Sequence, residues 1–279
     1  MDLSGAGELG NVEDRRGMGT PLMVGGGIGA VVIGLIAAFL GFDTDNLHLG
    51  GGRKGSAPND GYKEFSQKLL GTTNVVWREQ FQKHYGRSYR EPTMVLFSDK
   101  VDSGGCGVAP SSVGPFYCPK SKKVFLDPTF FDELEKKLGG SKAEFSQAYV
   151  VAHEVGHHVQ NLLGYNDKLE GFRAREGENA GIRLELQADY LAGVWAHHAD
   201  RKFKILSSPS EVQEALKTAR AIGDNRIQEK MRGRSWPESF NHGRDDQRYK
   251  YFKKGFDTGD ASKAALDHFF DPRIRPLDL

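Results

Sequence analysis

Two histidines four residues apart around a glutamate, His153-Glu154-Val155-Gly156-His157, constrain this chain more than any other feature. Positions i and i+4 share one face of an α-helix, so both imidazoles reach a single metal ion only if the segment is helical. Glu154 stands beside them, where a carboxylate can hold and deprotonate water at the metal. The flanks agree with a helix. Ser141-Lys142-Ala143-Glu144 reads as a capping box with Ser141 as N-cap. Phe145, Ala148, Ala152, Val155, Val159 and Leu162 then recur at helical spacing, and Gly164 suits the C′ position. The motif is therefore expected in the middle of a helix of about twenty residues. The competing reading is two surface histidines on an ordinary amphipathic helix.

Zinc needs a third protein ligand, and its identity sets the class. An HExxHxxGxxH continuation is excluded, because Gln160 and Leu163 stand where the glycine and third histidine belong. Glu185-Leu186-Gln187-Ala188-Asp189 offers a carboxylate instead. Glu185 and Asp189 point the same way from one helix, at the edge of an apolar stripe of Leu184, Ala188, Leu191 and Trp195. Glu185 is expected as the third ligand. Asp189 is expected to accept a ring N–H from His153 or His157, fixing its tautomer. The alternative is a solvated acidic pair. His158 points about 100° away from its neighbour and cannot share the metal. His197 and His198 read as the solvated end of the second helix, where cations suit the dipole. His242, in the turn Ser239-Phe240-Asn241-His242-Gly243, is expected to donate to a developing oxyanion, against the alternative of a structural turn histidine. One Zn²⁺ ion, three ligands and an open position for water, with Glu154 as general base, point to a metal-dependent hydrolase, namely a peptidase acting on a peptide or unfolded protein. Two alternatives stay open: a non-catalytic protein holding a structural zinc, and an amidase of cell-wall peptides with the same chemistry.

At this point the chain resembles a family, the bacterial neutral zinc metallopeptidases with an N-terminal membrane segment. The resemblance rests on Asn11-Val12-Glu13-Asp14-Arg15-Arg16, Gly114-Pro115-Phe116-Tyr117-Cys118-Pro119, the two motifs above, Gly223-Asp224-Asn225-Arg226-Ile227-Gln228, and His242-Gly243 with Gln247-Arg248. It spans nearly the whole chain and implies zinc and a peptidase-type site. The family pattern also has a cysteine after the acid of the second motif and another near the C-terminus. Here those regions offer Tyr190 and Phe269-Phe270, so a packing pair is expected in place of a second disulfide.

The 279 residues suffice for one sizeable domain with an appendage, and a net charge of +1 gives no reason to expect nucleic acid as a partner. Leu22 to Leu40 carries no charge and would span ~28 Å as a helix. A cleaved signal peptide and a buried helix compete with a retained anchor, and the anchor is the reading adopted. The expected division is a cytoplasmic tail over 1–21, a transmembrane anchor over 22–40, a linker over 41–59 and the zinc metallopeptidase domain over 60–279. Cys106 and Cys118 bracket a Gly/Pro/Ser-rich loop that one disulfide would close. That pairing favours a single-pass protein with its catalytic domain outside the cytoplasm, although two free thiols inside a cell are the alternative.

The remaining pattern is mixed. Tyr62 to Phe81 reads as one or two helices ending near Gly86, Thr93 to Ser98 and Lys123 to Leu126 as strands, and Phe116 to Cys118 as a short edge strand. Further helices are expected over Phe130 to Leu138, after Ser208, and around Tyr249, Phe252 and Phe256. The fold class is α+β, a zincin-like domain with a small sheet on a helical body and the metal helix at its base. An edge strand beside the metal would let an extended substrate backbone add to the sheet.

Overall fold

The order of elements follows the expected alternation of helices and short strands. This computed structural model describes residues 1–18, 33–34 (backbone only) and 60–279. The described elements are β1 (Val12–Asp14), β2 (Ile33–Gly34), α1 (Tyr62–Tyr85), β3 (Thr93–Leu96), β4 (Lys100–Asp102), β5 (Val108–Pro110), β6 (Phe116–Cys118) and β7 (Lys123–Leu126). Then come α2 (Phe130–Glu133), continued by a π turn over Leu134–Leu138, α3 (Glu144–Leu163), α4 (Tyr165–Glu176), α5 (Gly181–Phe203), α6 (Pro209–Ala221), α7 (Asp224–Arg232), α8 (Asp245–Thr258) and α9 (Lys263–Asp267).

α5 is the centre of the helical body. Every residue from Ile182 to Ala196 is buried, a pattern expected only of a helix covered on all sides. Several of its polar members survive there because they are partnered. Arg183, for example, meets the Glu176 carboxylate at 2.7 Å and the Phe269 carbonyl at 2.6 Å. α8 crosses α5 at backbone contact: a methyl group added to Gly255 would sit 2.0 Å from the Tyr190 carbonyl oxygen, and one on Gly193 2.1 Å from that of Phe252. Tyr190 also packs on Phe269 with ring centroids 5.7 Å apart, the apolar pair expected where a second disulfide is missing.

The sheet runs β1-β3-β7-β6-β2, with β1, β3 and β7 parallel and β6 antiparallel to β7. Both its faces are covered, which explains its short, continuously apolar strands. Met94, Leu96, Tyr117, Val124 and Leu126 join the helical core. Val95, Phe97, Phe116, Cys118 and Phe125 form a second small core with Val101, Cys106 and Ala109. Cys106 and Cys118 are disulfide-bonded there, with Cα atoms 5.9 Å apart.

Three expectations are corrected. α3 is not opened by a capping box: its N-cap is Ala143, the Ser141 hydroxyl accepts the Ala143 N–H, and the Glu144 carboxylate lies 3.4 Å from the Met1 amino group. β6 is not the sheet edge, because Ile33–Gly34 pairs along its free side opposite Tyr117 and Phe116. The third correction concerns the membrane. Apart from Ile33–Gly34, the stretch 22–40 lies outside the described residues, and those two residues are extended in a sheet rather than helical. Among the described residues no helix is long and apolar enough to cross a membrane. Residues before that stretch also belong to the same body as the helices. β1 pairs with β3 in register Val12–Met94 to Asp14–Leu96, and the Gly10 N–H donates to Gln67 of α1 at 2.7 Å. A strand hydrogen-bonded into a sheet cannot sit across a bilayer from it, so a single pass with an inside tail and an outside domain is overturned. An uncharged run reports length and hydropathy, whereas strand pairing is decided by distant residues.

Gly255→Ala should destabilise the fold by more than ~2 kcal/mol, because the added methyl meets backbone rather than a movable side chain. Urea denaturation of the two proteins measures this, and an unchanged midpoint would show that α5 and α8 do not cross as described.

Candidate active site

The glycine inside the first motif lets its helix reach the second. A methyl on Gly156 would lie 3.1 Å from the Ala188 carbonyl oxygen, so α3 and α5 press together where their functional faces meet. One turn from that contact, His153, His157 and Glu185 converge, with one ligand atom from each lying within 4.8 Å of the others. His153 Nε2 is 3.3 Å from Glu185 Oε2, and His157 Nε2 is 3.4 Å from Glu185 Oε1. All three side chains are buried.

The surrounding hydrogen bonds decide where the ring protons are. His153 Nδ1 faces Asp189 Oδ1 at 2.8 Å, and a carboxylate can only accept, so Nδ1 carries hydrogen. Gln160 Nε2 donates to the Leu184 carbonyl at 2.6 Å, which turns Gln160 Oε1 toward His157 Nδ1 at 2.8 Å and makes that nitrogen a donor too. In the neutral rings both Nε2 lone pairs therefore point at the Glu185 carboxylate. Three acceptors facing one another in a buried pocket repel unless a cation lies between them. The two N···O separations match the ~3.3 Å edge of a tetrahedron built on ~2.0–2.1 Å zinc bonds. Two nitrogens and a carboxylate oxygen are a zinc donor set, and the residues fit that ion.

Glu154 adds to the unmet demand. It is buried, and neither carboxylate oxygen has a hydrogen-bond partner among the described residues. Burial, with the charge of Glu185 and against that of His153, pushes its carboxyl up to about 8. Burial alone would lower His153, but the Asp189 carboxylate outweighs it and raises the ring to about 9. For His157 burial prevails over the opposing charge of Glu185 and brings the ring down to about 4. Glu185 is held well below the usual carboxylate range: burial opposes its charge, and the charge of His157 with the hydrogen bond from His153 prevails.

His242 approaches from the loop before α8. Its Nδ1 is 3.0 Å from Asp224 Oδ1, and its charge is felt by both Glu154 and Glu185. Asp224 Oδ2 accepts the backbone N–H groups of Asn241, His242 and Gly243 at 2.9, 2.7 and 3.0 Å, so one carboxylate at the start of α7 shapes the whole turn. Burial opposes the charged form of His242, yet its bond to Asp224 raises its pKa. The other histidines are elsewhere. His158 donates to the Arg90 carbonyl at 2.6 Å and accepts from Tyr117. His197 and His198 are half-buried, bonded to the Phe256 and Gly259 carbonyls rather than solvated.

The sequence profile of the family described as "Putative neutral zinc metallopeptidase" matches residues 1–269. The chain belongs to that family. It is 38% identical to the uncharacterized protein YpfJ of Escherichia coli K12, over 94% of this chain and 97% of that protein. It is 42% identical to the uncharacterized protein Rv2575 of Mycobacterium tuberculosis H37Rv, over 68% of this chain and 65% of that protein. No solved structure matches it significantly.

Four residues of the site escape a reading by spacing. Gln160 reads only as the residue that breaks a longer histidine motif, although its i,i+3 relation to His157 is the usable signal. Tyr149, one turn before His153, donates to Asp189 at 2.6 Å. Asp224 and Arg248 stand in motifs that carry the family resemblance, but nothing local gives either a role.

The metal-free site sets a pH dependence. Between pH ~6.5 and ~9 the folded protein keeps a proton on His153 that the unfolded chain has lost, so stability falls as pH rises through that window. Glu154, protonated up to about 8, adds the same sign. In chelator, unfolding free energy should drop by on the order of 1–3 kcal/mol from pH 6.5 to 9. Zinc should remove the drop, because the metal takes the proton's place. Stability in chelator that increases over this range would contradict the assignment.

Proposed function

We propose that this chain is a zinc-dependent peptidase, a zincin-like domain that hydrolyses peptide bonds in extended or unfolded protein segments. The observation that carries this reading is the convergence of His153 Nε2 and His157 Nε2 on the Glu185 carboxylate, beside a buried Glu154 with no hydrogen-bond partner among the described residues. Among the described residues no fourth His, Cys, Asp or Glu joins that group, which supports an open position and speaks against a closed structural site.

His153, His157 and Glu185 would hold the ion. A zinc ion held there would supply Lewis acidity, acidifying water and polarising a carbonyl. Glu154 takes the proton from the attacking water and returns it to the leaving amine. A carboxylate with no other hydrogen-bond partner is free to do both. His242, oriented by Asp224 and favoured in its charged form, donates to the oxygen that becomes negative as the carbonyl is attacked. Asp189 and Gln160 keep both Nδ1 protons in place, so the Nε2 atoms remain ligands. A substrate backbone pairing with β6 would take the position that Ile33–Gly34 holds.

Glu154→Gln should keep its zinc and lose more than tenfold in turnover on a denatured protein substrate, whereas Glu185→Ala should lose the zinc itself. His242→Ala should retain metal and lose ~10²–10³ in kcat. Metal analysis paired with a digestion assay reads all three. Wild-type activity that survives complete chelation would defeat the proposal.

A further inference from the structure

Arg248 lies fully buried in α8, although nothing in the proposed chemistry requires a cation there. One edge of its fork is directed at Asp189, the site's supporting carboxylate. Nε donates to Asp189 Oδ2 at 2.8 Å and one terminal nitrogen to Asp189 Oδ1 at 3.0 Å. The same terminal nitrogen lies 3.5 Å from the Tyr149 hydroxyl and 3.4 Å from His153 Nδ1, whose hydrogen is directed at Asp189, and the other is 3.4 Å from the Ile222 carbonyl. Asp189 Oδ1 thus receives three donors, from Arg248, Tyr149 and His153, while Oδ2 receives Arg248 Nε. A carboxylate held in this way cannot turn about its own axis, and its oxygen is fixed against His153 Nδ1.

Stability alone is a poor reason for the arrangement. Well-packed apolar side chains of similar volume commonly serve a buried ion pair's place at least as well. What a bidentate pair adds is direction, because two parallel hydrogen bonds fix the plane of the carboxylate. Resting on the zinc reading above, we infer that Arg248 is a positioning residue that acts through Asp189, with Tyr149 as its partner, to aim His153 Nε2 at the metal. The close crossing of α5 and α8 at Gly193 and Gly255 is what brings the guanidinium within reach.

The test measures metal affinity rather than turnover. Arg248→Lys keeps the charge but has no fork. It should weaken zinc binding ~10–100-fold in competition with a chromogenic chelator, and alter the visible absorption of the cobalt-loaded protein. Tyr149→Phe removes one donor and leaves the ring, so it serves if the lysine variant does not fold; its expected loss is about fivefold. In an Asp189→Asn background the further loss from either change should shrink toward none, since both act on the same carboxylate. A structural role would instead lower the thermal midpoint while zinc affinity of the folded protein stayed at the wild-type value. That outcome, or full additivity with Asp189→Asn, overturns the inference and leaves the peptidase reading intact. A wild-type chain that binds neither zinc nor cobalt overturns both.

Discussion

Charge buried in an apolar body is the constraint around which this protein is arranged. Glu154, Glu185, Asp189, Asp224 and Arg248 lie out of contact with water in the same region of a largely hydrophobic interior. Each isolated carboxylate there would cost many kcal/mol, so each must meet a cation, a set of donors or a proton. Asp189 meets Arg248, His153 and Tyr149; Asp224 meets His242 and three backbone amides. Glu154 has no hydrogen-bond partner among the described residues, and Glu185 faces the two histidine rings. That imbalance sets the two glutamates apart from the satisfied network around them.

The helices deliver these groups through contacts between small residues. Gly156 admits α5 against α3, and Gly193 with Gly255 admits α8 against α5. Side chains at those crossings would separate the helices and break the distances of 3.3 and 3.4 Å at the centre. The sheet contributes differently. It packs one face on the helical core and closes the other with the disulfide-linked loop, so β6 is held rigidly beside α3 through Tyr117, His158 and Asn161.

Much of the site was legible because helical periodicity is a local property. The i,i+4 spacing of His153 and His157, and of Glu185 and Asp189, follows from 3.6 residues per turn whatever surrounds the helix. Gly164 as the helix end is also local, and the structure gives it a left-handed φ of 80°. Less was legible wherever a residue's partner is remote. Ser141 and Glu144 have the spacing of a capping box, but Glu144 points to Met1 instead. Residues 116–118 look like an edge strand until Ile33–Gly34 pairs alongside, and the uncharged run around those two residues resembles a membrane span in composition alone.

The sequence by itself determined the chemistry on offer: two imidazoles on one helical face with a carboxylate beside them, two further carboxylates on another helix, and two cysteines able to close a loop. Only the tertiary structure decided that Asp189 serves His153 rather than His157. It also decided that Gln160 takes the other ring, that Arg248 and Asp224 come to the site from 59 and 18 residues away, and that the first residues of the chain belong to its sheet. The division has one physical cause. Backbone geometry places neighbours along a helix at fixed angles, whereas a hydrogen bond between distant segments exists only once packing has brought both ends out of water together.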